Sequence, residues 1–115
     1  RVPFDEGTLT GTLTKETTFP PEDWRSQYFS KENLIPSVER ADALKPLIPA
    51  GSTMPEMTLR HILSHEAVST IIPGMRKISH VEANCAASDK GKLSDELLQE
   101  LKKHRWVRKA APWSD

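Results

Sequence analysis

The run Val68-Ser-Thr-Ile-Ile-Pro-Gly-Met-Arg-Lys-Ile-Ser-His-Val-Glu-Ala-Asn84 constrains this chain more than any other part of it. Val68 to Ile72 have strand character, and the strand must end at Pro73-Gly74. Proline cannot donate to a ladder, and glycine lets a ligand approach the main chain. Beyond the two cations Arg76 and Lys77 a helix starts, with Ser79 placed to cap it and Glu82 three residues later to complete a capping box. The unpaired amides of a helix start favour negative charge, and Arg76 and Lys77 add to the same field, so a phosphate there would be stabilised twice. The same spacing also describes two solvated charges in an ordinary strand-to-helix turn. Motif chemistry leaves both readings open.

Around that stretch the pattern is mainly helical. Residues 1–21 are rich in Thr and Gly and end at Pro20-Pro21, which reads as an extended loop. Trp24 and Tyr28 stand four apart and predict a short helix covering something apolar. Leu34, Ile35, Val38, Ala41 and Leu44 give Lys31–Ile48 a helical period, with Pro36 expected in the first turn and Pro46 and Pro49 as terminators. Thr53 and Glu56 form a second capping box with Pro55 in the tolerant first turn. Met57, Leu59, Ile62 and Leu63 supply its buried positions, and the helix should end near Ser64 or His65. A last helix starts at Ser94, flanked by the staple pair Leu93 and Leu98. It carries Leu97, Leu98 and Leu101 on one face and ends in Lys102, Lys103, His104 and Arg105, cations that suit a solvated helix end.

Composition narrows the class. Sixteen Lys+Arg balance sixteen Asp+Glu, which argues against a general nucleic-acid or membrane-surface binder, so any anion site must be local. The single cysteine, Cys85, suits a reducing compartment and packing on a helix. No apolar run approaches the roughly 20 residues of a membrane span. A cytoplasmic location is the expectation. His61 and His65 have the helical spacing of a shared metal, but Ile62 stands where the zinc-protease pattern needs Glu, and a structural or exposed pair is the favoured reading.

Several of these blocks together resemble the C-terminal portion of the aldo/keto reductase family. The Ile72-Pro73 pair and Asn84 are similar to the signature in which the last barrel strand ends and the next helix begins. Gly7, Leu9 and Gly11 match the Gly-x-Leu-x-Gly pattern of the loop after the seventh strand. Leu59-Arg-His-Ile-Leu-Ser64 is similar to the helix before the eighth strand, with His61 in place of the usual Trp. The resemblance covers Arg1 to about Trp106.

It implies an α/β fold, the C-terminal part of a (β/α)8 TIM barrel, mostly helical over this span. Residues 1–30 would be the loop after strand seven, 31–65 two helices, 68–73 strand eight, 79–106 the final helices and 107–115 a tail over the barrel mouth bearing Trp113. It also implies binding of NADP(H) and reduction of aldehydes or ketones, with a small carbonyl compound as substrate. Phe4, Asp5, Gly7, Leu9 and Gly11 would lie along the pyrophosphate. Pro73, Gly74, Met75 and Arg76 would form the bend, with Arg76 on the 2′-phosphate and His80 and Asn84 near the adenine. The family's catalytic Asp, Tyr, Lys and His come from the first half of the barrel, so none is assigned to this chain. The chain looks like a piece of a longer protein, expected to need the N-terminal part of the barrel or self-association to cover its edges. A non-catalytic nucleotide-binding accessory subunit of the same fold is the alternative.

Overall fold

The structure, a computed structural model, describes residues 1–107, so Trp113 and nearly all of the expected tail lie outside the described residues. Among the described residues five helices follow one another: α1 (Arg25–Tyr28), α2 (Lys31–Leu44), α3 (Met54–Leu63), α4 (Ile78–Asp89) and α5 (Asp95–Lys102). Short 3-10 helices occupy Asp5–Thr10 and Lys45–Leu47. The described residues contain no strand, an arrangement compatible with part of a β/α barrel.

The expected strand over 68–73 is therefore not formed. Residues 68–76 are neither helix nor strand. A strand exists only as one rung of a ladder, and β character in Val68 to Ile72 cannot supply the neighbour that the ladder needs.

The opening segment also departs from expectation. Thr- and Gly-rich composition predicts an extended loop over residues 1–21, but a kinked 3-10 helix forms at Asp5–Thr10, with Glu6 at φ 56° and Gly7 at φ 109°. Local hydrogen bonding closes it: the Leu9 amide donates to the Phe4 carbonyl at 3.0 Å, and the Thr10 hydroxyl donates to the Gly7 carbonyl at 2.6 Å. Threonine side chains compete for backbone partners in this way, and a Thr-rich segment folds on itself. Gly11 ends the element in the left-handed region, φ 73°; a Cβ there would stand 3.2 Å from Met54 Sδ, the side chain that opens α3.

Helix α2 buries Leu34, Val38 and Ala41 on one stripe, together with Ser37. Pro36 lies in its second turn rather than its first, because the helix starts at Lys31. Leu34 and Val38 form a core with Phe29, and Leu13, Phe19 and Tyr28 pack against it. Phe19 stacks on Phe29 with centroids 5.4 Å apart. Trp24 meets Tyr28 edge-on at 5.4 Å, as their spacing predicts, yet Trp24 remains 50% exposed.

Helix α3 is capped as expected at its first residue: the Thr53 side chain accepts from the Glu56 amide at 3.2 Å. The Glu56 carboxylate turns elsewhere, to Arg60 at 3.3 Å and Lys90 at 2.7 Å. Burial pushes its carboxyl up, but the hydrogen bonds headed by that from Lys90 outweigh burial and hold it below its usual range. Arg60 in turn donates to the carbonyls of Gly91 and Lys92 at 2.9 and 3.1 Å, and the Leu93 amide donates to the Ser64 hydroxyl at 3.1 Å. Glu56, Arg60 and Ser64 thus clamp the connection between α4 and α5, while Met54, Met57, Thr58 and Leu59 are the buried residues of α3. Ile62 and Leu63 are only half-buried.

Helix α4 begins at Ile78, one residue before the expected cap. Lys77 has the extended dihedrals of the capping position, and no side chain caps the helix; Ser79 and Glu82 are exposed inside it. Of its residues only Ala87 is buried, so Cys85 is exposed rather than packed. Helix α5 starts as read, with the Ser94 hydroxyl accepting from the Leu97 amide at 3.2 Å, and Leu93 beside it is buried. No helix among the described residues is long and apolar enough to cross a membrane.

Candidate nucleotide groove

Because the 3-10 turn Asp5–Thr10 packs against both α2 and α3, it holds Gly7 at the edge of a groove of about 760 Å3. Phe4, Glu6, Gly7 and Thr10 form one side of it, Ile72 and Gly74 another, and Pro20 through Arg25 a third, save Pro21. Two glycines from distant parts of the chain therefore line one space. At each of them a Cβ would meet nothing within 4 Å, so the main chain there is open to close approach. Gly7 has a further reason to be glycine, since φ 109° is costly for any side chain.

The charges on the groove are mostly negative. Glu6, Glu22 and Asp23 line it, with Arg25 as the cation among its lining residues. Arg25 is engaged by Asp23: its Nε donates to both carboxylate oxygens at 3.0 and 3.1 Å and its Nη2 to Oδ2 at 2.6 Å. The Arg25 amide also donates to Oδ1 at 2.9 Å, and the guanidinium sits 4.7 Å from the centroid of Phe19. The hydrogen bonds from the Arg25 side chain, then that from its amide, lower the Asp23 carboxyl to about 2. The same side-chain bond raises Arg25.

The residues picked out in the sequence are distributed over several places. Phe4, Gly7 and Gly74 share the groove. Asp5 and Leu9 line a separate cavity of about 290 Å3 with Arg40, His104 and Trp106, where the Arg40 guanidinium lies 5.3 Å from the Trp106 ring. Pro73, Met75 and Asn84 line a third, about 210 Å3, together with Leu59 and Cys85. Gly11 lies against Met54. Arg76 and His80 are exposed and line none of these three spaces. The link between the bend and α4 is Asn84, whose Nδ2 donates to the Gly74 carbonyl at 3.4 Å. Reading the sequence overlooked Glu22, Asp23 and Arg25 as groove residues. Their signal was present in Trp24, whose surplus aromatic surface after a double proline marks a flap, but no periodicity says which space a flap borders.

Two features of these residues suit a phosphate group. The open glycines admit a pyrophosphate close to the backbone. At the bend, Arg76 and Lys77 have no carboxylate partner among the described residues and stand directly before the uncapped amides of α4. Glu6 and Glu22 oppose an anion in the groove itself.

Comparison with known proteins supports the family resemblance. A family model described as the aldo/keto reductase family matches residues 1–105. The aldo-keto reductase str7 of Strobilurus tenacellus is 30% identical over 104 residues, which cover 88% of this chain and 31% of that relative. The chain thus spans less than a third of the length of the curated relative it matches. No solved structure matches it.

Proposed function

The chain belongs to the aldo/keto reductase family, and from that membership we propose that it supplies the NADP(H)-binding portion of an oxidoreductase that reduces aldehydes or ketones to alcohols. The observation that carries this reading is the shared groove of Gly7 and Gly74, with the cationic bend two residues further on. The bound nicotinamide would supply hydride to the carbonyl carbon. This chain's part is to bind and orient. Gly7 and Phe4 border the space for the pyrophosphate, and Arg76 pairs with the 2′-phosphate. His80 and Asn84 serve the adenine end, Asn84 also holding the Gly74 carbonyl. Leu9, Gly11, Pro73 and Met75 support the two loops rather than entering the groove.

The reading also calls for a partner surface. Ile72 and Ile78 are each 79% exposed, Met75 and Val81 nearly half so, and an apolar patch of this kind is covered either by the rest of a barrel or by a second copy.

Titration of the protein with NADPH and with NADH, before and after Arg76→Ala, tests the cofactor assignment. Loss of a charge-assisted phosphate contact should weaken NADPH about tenfold or more while leaving NADH within about twofold. Equal losses would remove the 2′-phosphate from Arg76.

A further inference from the structure

Within the proposed groove Arg25 is the cation, and its Nε and Nη2 both donate to the Asp23 carboxylate. Both side chains are partly exposed, 37% and 22%, so the pair is reachable from the groove rather than sealed in a core. Glu6 and Glu22 border the same space, which leaves the lining with three carboxylates against one engaged cation. A phosphate entering must meet that field, and the cation suited to neutralise it is already paired with Asp23.

We propose that Asp23 sets the groove's affinity for phosphate-bearing ligands by masking Arg25, acting as an intramolecular competitor that an entering phosphate must displace. This rests on the reading of the groove as an anionic-nucleotide site. The competing bonds are the three side-chain contacts; the fourth, from the Arg25 amide to Oδ1, is a backbone contact that fixes the turn into α1. Asp23→Asn separates the two roles, because the amide oxygen still accepts from the Arg25 N–H while the charge is gone. Arg25 then keeps its place over Phe19 and gains freedom to turn to a ligand.

The test measures dissociation constants for NADPH and for inorganic pyrophosphate by calorimetry on the wild type, Asp23→Asn, Arg25→Gln and the double variant, at two salt concentrations. Masking predicts that Asp23→Asn binds both ligands roughly two- to fivefold more tightly, the range expected for releasing a partly exposed ion pair, with a steeper salt dependence. In the Arg25→Gln background the gain should vanish. Weaker binding by Asp23→Asn, with the wild type binding normally, would show that Asp23 pre-orients Arg25 instead of masking it, and overturns the proposal while the cofactor reading stands. If neither wild type nor any variant binds NADPH or pyrophosphate, the groove reading fails and this proposal with it. A circular-dichroism melt of each variant separates these outcomes from unfolding, and an unchanged salt slope in a folded Asp23→Asn protein also counts against masking.

Discussion

Protonation of Asp23 would release the carboxylate that Arg25 holds. Its carboxyl is lowered to about 2 from an ordinary value of 3.8, chiefly by the side-chain hydrogen bonds of Arg25. A depressed acid stabilises the fold above its unfolded pKa and loses that contribution as pH falls through the folded one. The Pro20–Arg25 side of the groove should therefore hold its geometry from neutrality to about pH 4 and loosen between about 4 and 2. The difference in fluorescence between the protein and its Trp24→Phe variant reports this flank, and it should change within that window. In Asp23→Asn the transition should be absent. A signal constant down to pH 2 in the wild type would disconnect Trp24 from the pair. Residue chemistry of this kind was only partly visible beforehand. Gly7 was recognisable from its pattern and has the backbone that only glycine favours, whereas the Asp23–Arg25 fork depends on how two neighbours two residues apart turn toward one another. Arg76 was legible as a cation at a bend; its exposure was not.

At the level of elements, boundaries set by short-range chemistry were readable and those set by distant partners were not. Thr53 and Ser94 cap α3 and α5 because a hydroxyl needs only an amide three residues on. Helix α2 followed from the spacing of Leu34, Val38 and Ala41. The start of α4 lies at Ile78, against the local capping preference for Ser79: Lys77 takes the extended cap conformation and no side chain caps the helix. Glu56 illustrates the same divide inside one motif. Its amide makes the local half of the capping box, while its carboxylate goes to Lys90, far away in sequence, and to Arg60. The segment 68–76 is the clearest case of a distant requirement. Its side chains favour a strand, and a strand has no existence without an adjacent one. The groove was legible as a pair of loops, Gly7 and the bend, but its third side came from a flap whose direction is decided by Phe19, Phe29 and Tyr28 packing beneath it.

For the molecule as a whole, the uncovered face is the governing fact. Ile72, Met75, Ile78 and Val81 fall within ten consecutive positions of the bend and α4, and α4 buries only Ala87 among its own residues. A helix that presents apolar side chains to water without a stripe facing a core is stabilised mainly by what covers it. Sedimentation velocity on these 115 residues should accordingly show association that grows with concentration, and Ile72→Ser/Ile78→Ser should weaken it. A monomer at every concentration, unchanged by the two substitutions, would mean that the face needs no cover. If the Gly7 loop and the Gly74 to Asn84 bend act as one nucleotide site, amide NMR during an NADPH titration should register both at once. The amides of Gly7, Gly74 and Arg76 should shift together along a single binding curve. Shifts confined to one of the two loops, or none at saturating NADPH in a folded protein, would contradict it.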